Sequence, residues 1–311
     1  MHALIVSVLF INTNNTIRKY LVLFLLYNYN EINLSSTFLN KRWIEAQLST
    51  YKHTRNFNLP LHRKQHKRMK TLKQTVTATK ILSVDIGGSN IKGTLLNEEG
   101  QMIADYKKLP TPSPATPDKV MATIEQLSKN FPGFEKASVG FPGYVKNGVI
   151  VTAPNLGSEL WHQIPLAERL SALLQKPVRV VNDADMQGLG VVSGKGLEIM
   201  VTLGTGFGTA VLYNGLLLPH LELAHHPVTK TKDYDTYIGD KEMERIGKQR
   251  WNKRMMRVID ILKTVFNYDH LYIGGGNSDE LTFKLDNNIT IVNNKDGIRG
   301  GARLWNQPEA K

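Results

Sequence analysis

The sequence predicts an α/β protein, because strand-like and helix-like segments alternate from about residue 80 onwards. Glycine-rich turns follow three of the strand-like segments, which is typical of this class when a ligand binds at the strand ends. The chain has 311 residues and is 41% hydrophobic, an ordinary globular composition at about the length of two domains. It contains no cysteine, which excludes thiol nucleophiles, Cys-ligated zinc and iron–sulfur clusters.

The first half of the globular region predicts two strands around a glycine turn, then a helix and a third strand. Strands are expected at residues 81–86 and 91–96. After a proline-rich loop, Asp118 is expected to cap a helix that runs to about Asn130. The next strand is expected at residues 136–141 and ends at a Pro-Gly turn.

The second half predicts the same kind of alternation. A helix is followed by a buried strand that ends at Asn182-Asp183, then by two strands around a glycine turn, and finally by a strand that ends in three glycines. The helix is expected at residues 166–174 and the strands at residues 178–181, 198–203, 209–213 and 271–273.

The net charge of +12 is concentrated at the beginning of the chain. Residues 1–80 hold 13 of the 39 basic and two of the 27 acidic side chains, so the other 231 residues hold 26 basic and 25 acidic ones. The high basic content is therefore weak evidence for a nucleic-acid or membrane partner. We expect residues 1–79 to be an atypical extension, either disordered or containing an over-long translation start at residues 1–68, with Met69 as the true start. A secretory signal or membrane anchor, a transit peptide and a nucleic-acid-binding tail are the alternatives.

The glycines after three strands lie beside Asp85, Thr205 and Asn277. Glycine lets backbone amides approach a ligand closely, and amides that converge on one cavity favour an anion. The chain has no Walker A motif, and Gly204-Thr205-Gly206-Phe207-Gly208 lacks the spacing of dinucleotide-binding turns. The pattern therefore predicts a phosphate site built from strand-turn-strand units, although any one of these turns alone would be an ordinary hairpin.

Four segments resemble, in the right order, the motifs of the ROK family (repressors, open reading frames and sugar kinases). The segments are Asp85-Ile86-Gly87-Gly88-Ser89-Asn90-Ile91-Lys92-Gly93, Asn182-Asp183-Ala184-Asp185, Leu203-Gly204-Thr205-Gly206-Phe207-Gly208 and Ile273-Gly274-Gly275-Gly276. The resemblance covers about residues 80–305. It implies a two-domain actin-like (ribonuclease-H-like) ATPase fold with a cleft between domains. Residues 80–182 and a C-terminal helix at about 297–311 would form the small domain, and residues 183–296 the large one.

The resemblance also implies a hexokinase-type phosphotransferase in which Asp183 is the base that accepts the proton of a sugar hydroxyl. The alternative for Asp183 is a cap of the following helix. Asp85 would hold Mg²⁺, directly or through water. The phosphate and nucleotide site would comprise Asp85, Gly87, Gly88, Ser89, Asn90, Lys92, Gly204, Thr205, Gly206, Gly208, Gly274, Gly275, Gly276 and Asn277.

The sugar would be bound by Asn155, Asn182, Glu222 and His225, the last two from a segment similar to the family's Glu-x-Gly-His motif. Ala224 stands where the family usually has glycine. In many members the histidine also ligates zinc together with a cysteine cluster, so no zinc site is expected in this cysteine-free chain. The segment from Leu218 to His225 resembles the zinc-free polyphosphate glucokinases of the family.

The segment at residues 248–257 is similar to that subgroup as well, and residues 241–257 predict a basic helix. Its cations recur at helical spacing, which would suit a polyanion such as polyphosphate, although a solvated helix face is an equal alternative. The cations are Lys241, Arg245, Lys248, Arg250, Arg254 and Arg257.

The resemblance implies glucose as the acceptor and polyphosphate or ATP as the donor, with Mg²⁺ as cofactor. Fructose, mannose and an N-acetylated hexosamine are alternative acceptors. A cytoplasmic homodimer without nucleic-acid or membrane partners is expected. The alternative from another class is a non-catalytic sugar sensor or transcriptional repressor of the same family.

Overall fold

The computed structural model describes residues 79–308. The expected N-terminal extension, including Met69, lies outside the described residues, as do residues 309–311 of the expected C-terminal helix.

A five-stranded mixed sheet forms the first half of the described chain. Strands β1 to β3 are an antiparallel meander, β4 and β7 run parallel to β1, and the spatial order is β3-β2-β1-β4-β7. Two short strands, β5 and β6, form a separate ribbon. The strands are β1 (Ile81–Ile86), β2 (Asn90–Leu96), β3 (Lys107–Pro110), β4 (Lys136–Phe141), β5 (Val145–Lys146), β6 (Val149–Ile150) and β7 (Val178–Asn182).

A second five-stranded sheet repeats this arrangement. Its first three strands are an antiparallel meander, two further strands run parallel to the first of them, and the spatial order is β10-β9-β8-β11-β12. The expected α/β class is therefore confirmed. The strands are β8 (Leu197–Leu203), β9 (Phe207–Tyr213), β10 (Leu216–Leu217), β11 (His270–Gly274) and β12 (Ile289–Ile291).

Helices cover each sheet and build a separate hydrophobic core on it. Residues of α1 and α3 pack on the first sheet, and residues of α5 and α7 pack on the second. The helices are α1 (Pro117–Ser128), α2 (Ser158–Trp161), α3 (Leu166–Leu174), α4 (Asp183–Val191), α5 (Tyr234–Ile238), α6 (Asp240–Ile246), α7 (Lys248–Phe266), α8 (Asn294–Gly297) and α9 (Gly300–Arg303), with 3-10 turns at Leu223–His225, Ser278–Glu280 and Leu304–Asn306.

Helix α4 lies between the two sheets, in contact with β4 and β7 on one side and with β8 and β9 on the other. Its glycines allow this close packing. A Cβ atom at Gly188 would lie 3.0 Å from the Cβ of Ala210, and one at Gly190 would lie 2.5 Å from the carbonyl oxygen of Asp296. Because both sheets cover α4, it lacks the broad polar face of a surface helix. Apolar residues therefore do not recur along it at the usual helical spacing.

The expected cap of α1 is wrong. The N-cap is Thr116, and Pro117 takes the first helical position, where its fixed φ and missing N–H are tolerated. Asp118 lies in the first turn and accepts a hydrogen bond from Arg169 Nη2 at 2.5 Å.

The single C-terminal helix expected at about 297–311 is also wrong, because α8, α9 and a 3-10 turn occupy this part of the described chain. These turns pack on β1 and β4: Ser83 Oγ donates to the carbonyl of Ile298 at 2.9 Å, and Ser138 Oγ donates to that of Gly301 at 2.6 Å. A Cβ atom at Gly300 would lie 1.8 Å from the carbonyl oxygen of Met186. The glycines thus serve close packing and weaken a continuous helix.

Among residues 79–308, no helix combines the length and the apolar character that a bilayer crossing requires.

Replacing Gly300 with alanine should test the packing of the C-terminal turns on α4. The added Cβ would collide with backbone, which cannot move aside as a side chain can. We expect the free energy of unfolding to fall by about 2–3 kcal/mol, measured by chemical denaturation. Gly88→Ala is the matched control, because a Cβ atom there meets nothing within 4 Å. Equal stability of the two variants would contradict this packing.

Candidate active site

A cleft of about 300 Å³ opens where strands of both sheets end. It is lined by the glycine turn after β1, the turn between β8 and β9, the turn after β11, and the first residues after β7. Of the predicted site residues, those that line it are Gly87, Gly88, Asn155, Asn182, Asp183, Gly204, Thr205, Gly206, Gly208, Glu222, Gly275 and Gly276. Those outside the lining are Asp85, Ser89, Asn90, Lys92, His225, Gly274 and Asn277.

The turn between β1 and β2 is fixed by backbone contacts and by the neighbouring β3. Gly87 N–H donates to the carbonyl of Asn90 at 3.0 Å, and Thr111 Oγ1 donates to the carbonyl of Gly87 at 2.6 Å. Ser89 also accepts from the N–H of Thr111, at 3.0 Å. Gly88 has open space where a side chain would stand. Hydrogen bonds therefore hold both sides of this turn and leave its tip at Gly88 open to a ligand.

The turns after β8 and β11 are locked to each other. The N–H of Asn277 donates to the carbonyl of Leu203 at 3.1 Å, and its side-chain amide donates to Asp240 Oδ1. Asp240 N–H in turn donates to the carbonyl of Gly204 at 3.0 Å. Gly275 has a φ of +88°, and a Cβ atom there would lie 2.1 Å from the carbonyl oxygen of Leu203. Asn277 thus acts on the shape of the turns from outside the cleft lining.

Asp235 of α5 is a cleft residue that the sequence analysis missed. Its Oδ1 accepts a hydrogen bond from the N–H of Phe207 at 2.6 Å, which holds the turn between β8 and β9. Burial raises the pKa of this carboxyl, and that hydrogen bond acts in the opposite direction. No motif marked the residue, because its contact with the turn spans 28 positions of sequence.

Asn182 caps helix α4, so the cap alternative for Asp183 is wrong. Asn182 Oδ1 accepts from the N–H groups of Ala184 at 2.8 Å and Asp185 at 3.3 Å, and its Nδ2 donates to the carbonyl of Gly143 at 3.0 Å. Asp183 is the first helical residue, and its Oδ1 accepts only from the adjacent N–H of Ala184, at 2.8 Å, within the described part of the chain. Its carboxylate is therefore available to the cleft.

The electrostatic surroundings make Asp183 a candidate general base. Burial raises its pKa to about 7, with a further contribution from the negative charge of Asp85. The N–H of Ala184 and the imidazole of His220 act in the opposite direction. A carboxylate that titrates near neutral pH can accept a proton more readily than an ordinary one.

Asp85 lies in β1, and its surroundings combine burial with one cation. Burial raises the pKa of its carboxyl, while Lys92 Nζ, 3.8 Å from Asp85 Oδ2, lowers it. No group of three His, Asp or Glu side chains within residues 79–308 is arranged as a metal cage. Mg²⁺ does not need such a cage, because it is usually held by one or two carboxylates, waters and substrate phosphates.

His220, which the sequence analysis did not select, lies beside Glu222 and lines the cleft, whereas the expected His225 lies outside the lining. The Nε2 of His220 lies 3.4 Å from Glu222 Oε1, and the side chain of His220 is 7% exposed. His225 is 62% exposed, with Nε2 3.8 Å from Glu222 Oε2 and Nδ1 3.9 Å from Asp233 Oδ2. The available signal was the spacing of two residues between His220 and Glu222, which puts side chains on one face of an extended segment.

The expected basic helix is not one continuous strip. Gly247, with a φ of +80°, separates α6 from α7. Buried Glu242 binds Lys232, Arg245 Nη2 at 2.7 Å and Arg254 Nη1 at 2.6 Å. The pKa of Glu242 is accordingly lowered, mainly by its hydrogen bonds with Arg245.

Three of the six cations are therefore used in ion pairs within the fold. Arg245 and Arg254 pair with Glu242, and Lys248 Nζ lies 2.5 Å from Glu280 Oε2. Lys241, Arg250 and Arg257 are exposed. Any polyanion surface here is accordingly smaller than the sequence suggested.

The family model that matches the chain is that of the ROK family, over residues 81–220. A polyphosphate glucokinase of Mycobacterium tuberculosis (strain H37Ra) is 34% identical over 235 residues, which are 70% of this chain and 88% of the relative.

Two solved structures share the fold. The inorganic polyphosphate/ATP-glucomannokinase of Arthrobacter sp. strain KM matches with a TM-score of 0.66 and 29% identity, over 73% of this chain and 98% of that one. A ROK family glucokinase of Streptomyces griseus in complex with glucose and AMPPNP matches with a TM-score of 0.59 and 20% identity, over 72% of this chain and 98% of that one.

The different tasks of Asn182 and Asp183 predict opposite effects on stability. Asn182→Ala removes the cap and should lower the free energy of unfolding by about 1–2 kcal/mol. Asp183→Asn should raise it at pH 8 by about 1–2 kcal/mol, a value reduced for solvent screening of a half-buried group. Asp183→Asn is stabilising because ionising the carboxyl costs more free energy in the folded protein, where its pKa is raised, than in the unfolded chain. The gain should therefore shrink towards pH 5.

Chemical denaturation at pH 8 and pH 5 measures both effects. Destabilisation by Asp183→Asn at pH 8 would contradict the raised pKa of Asp183, because asparagine accepts a capping hydrogen bond as well as aspartate does.

Proposed function

The chain belongs to the ROK family, and from this premise we propose that it transfers a phosphoryl group from polyphosphate or ATP to glucose, forming glucose 6-phosphate with Asp183 as the base. The expected actin-like ATPase fold agrees with the structures of sugar kinases of this family. Relatives named polyphosphate glucokinase and glucokinase support a sugar kinase with ATP or polyphosphate as donor.

The observation that carries the proposal is the uncapped carboxylate of Asp183 in the cleft. Asn182 satisfies the end of α4, so Asp183 faces the same space as Asn155 and Glu222. Its pKa of about 7 suits proton acceptance from a sugar hydroxyl at neutral pH. As the hydroxyl oxygen attacks phosphorus, its proton passes to an oxygen of Asp183 and the donor oxygen leaves.

The glycine turns would bind the phosphate chain of the donor. Gly88 and Gly204 have open space where side chains would stand, and both line the cleft. Backbone N–H groups in such turns can approach phosphate oxygens and stabilise the charge of the transferring group. Because hydrogen bonds hold these turns, this stabilisation requires little reorganisation during the reaction.

Asp85 is the residue that would hold Mg²⁺. The fit rests on its half-buried carboxylate, 25% exposed, whose negative charge Lys92 compensates only from 3.8 Å. Bound Mg²⁺ would neutralise negative charge on the donor phosphates. Lys92 would supply further positive charge on the same strand pair.

Glucose is proposed as the acceptor because the relatives that cover most of this chain are named glucokinases. Fructose, mannose and an N-acetylated hexosamine are competing acceptors, and a non-catalytic sugar sensor or repressor is the competing function. A cytoplasmic homodimer without nucleic-acid or membrane partners remains a prediction of the family resemblance.

Removing the proposed base should abolish most of the activity. We expect Asp183→Ala to lower kcat for glucose phosphorylation by about 10²–10⁴-fold, because the hydroxyl proton loses its acceptor. A coupled glucose 6-phosphate assay with ATP and with polyphosphate measures this and identifies the donor. In the wild type, kcat/KM should fall about tenfold per pH unit below pH 7, where Asp183 is protonated.

Two results would contradict this assignment. One is a folded Asp183→Ala variant with wild-type kcat. The other is a folded wild type that converts none of the four candidate sugars with either donor, which would favour the sensor alternative.

If polyphosphate is a donor, the exposed cations of α7 should contribute to its binding. Arg257→Gln removes one exposed charge and should raise the KM for polyphosphate about threefold, weaken its salt dependence, and leave the KM for ATP unchanged. Lys263→Gln is the matched control: it removes one charge from the same helix, at a residue paired with Asp286 at 2.8 Å. Equal effects of the two variants would indicate that the exposed cations of α7 form a solvated helix face that does not bind polyphosphate specifically.

A further inference from the structure

Asp185 on helix α4 is a buried carboxylate that needs a cationic partner. Its side chain is 5% exposed, and its Oδ2 lies 2.9 Å from Nδ1 of His220. Its Oδ1 has no hydrogen-bond partner within residues 79–308. A buried carboxylate with one unbonded oxygen is costly unless an opposite charge compensates it. His220 is the cation available at this distance.

His220 is enclosed by groups that favour its protonated form. Nδ1 faces Asp185, Nε2 lies 3.4 Å from Glu222 Oε1, and the ring stacks on Tyr144 with centroids 5.6 Å apart. Only an imidazolium can donate to both carboxylates at once. Burial opposes the charge, but the two carboxylates together raise the pKa of His220 to about 10. The ring is therefore protonated and its orientation is fixed on three sides.

Asp185, His220 and Glu222 form a row of contacts, and Glu222 is the member of the row that is exposed to the cleft. Its side chain is 34% exposed and lines the cleft, while Asp185 is closed off behind the ring. With Oε1 directed at His220, Oε2 is the oxygen left for a ligand, and the exposed His225 lies 3.8 Å from it. A carboxylate held in this way loses little rotamer freedom when it binds a hydroxyl.

We propose that His220, anchored by Asp185, is a positioning residue that fixes Glu222 for hexose binding and thereby sets the affinity for the sugar. The inference rests on the proposed function, because it takes Glu222 as a sugar ligand. His220 acts through Glu222 and has no part in donor binding. The sugar side and the donor side of the cleft are therefore tuned by separate residues: the sugar side by Asp185 and His220, the donor side by the glycine turns.

The test is a set of three variants assayed for glucose phosphorylation. His220→Gln keeps a polar side chain but carries no positive charge, and its two N–H donors sit on one nitrogen, so it does not span the two carboxylates as the two ring nitrogens of His220 do. Because His220 also lowers the pKa of Asp183, the assay is run at pH 8.5, where Asp183 stays mostly ionised. We expect the KM of this variant for glucose to rise about tenfold, with kcat within about threefold of wild type and an unchanged donor KM. Asp185→Asn should act in the same direction. The double variant should match His220→Gln alone, because the two residues act along one path.

His226→Gln is the control, since this exposed neighbour contacts the ring of Tyr234 and lies outside the cleft lining. Its kinetic constants should equal those of wild type. If His220→Gln does not fold, the glucose KM of Asp185→Asn tests the positioning role instead. An unchanged glucose KM, additive effects in the double variant, or an equal rise of the donor KM would overturn the positioning role.

Calorimetric titration with glucose in the absence of donor separates this proposal from the proposed function. A wild type that binds glucose without turnover would contradict the kinase assignment, and the glucose Kd of His220→Gln would still test the positioning role. A wild type that turns over glucose while His220→Gln keeps its Kd would overturn the positioning role alone.

Discussion

The hydrogen bonds of the Asn182 side chain are the constraint on which the rest of the site depends. One amide oxygen begins helix α4, and the amide nitrogen of the same side chain binds the carbonyl of Gly143 after β4. Helix α4 then packs against strands of both sheets, with Gly188 and Gly190 allowing close approach. A single cap therefore fixes the helix that joins the two halves of the fold and determines where its first carboxylates lie.

The two carboxyls in the first turn of α4 have different partners, although burial raises the pKa of both. Asp183 faces the cleft, is relieved of the capping role by Asn182, and has a pKa raised to about 7. Asp185 is buried behind it and is compensated by the imidazolium of His220. These different partners suit the two groups to different roles. In our account, Asp183 moves the proton, and Asp185 helps to orient the residue that binds the sugar.

Local signals in the sequence predicted much of the fold. The buried runs at β1, β4 and β11 and the helix α3 were found because short apolar runs between turn residues specify them locally. Strands β3, β10 and β12 were missed, because they are short or polar and exist through pairing with neighbours. The C-terminal turns were wrongly expected to form one helix. Their glycines are required by contacts with α4 and β1, and local sequence does not reveal contacts with such distant parts of the chain. The family motif likewise suggested His225, whereas the structure brings His220 together with Asp185, 35 positions earlier in the chain, and with Glu222.

The central claim is that Asp183 is an uncapped carboxyl in the cleft that titrates near neutral pH. The most direct test is ¹³C NMR titration of the side-chain carboxyl groups, with the Asp183 resonance assigned by its loss in Asp183→Asn. The account predicts a carboxyl resonance that titrates at about pH 7 in the ligand-free protein and disappears in the variant. A resonance of Asp183 that titrates near pH 4, as for an ordinary exposed or capping aspartate, would contradict it.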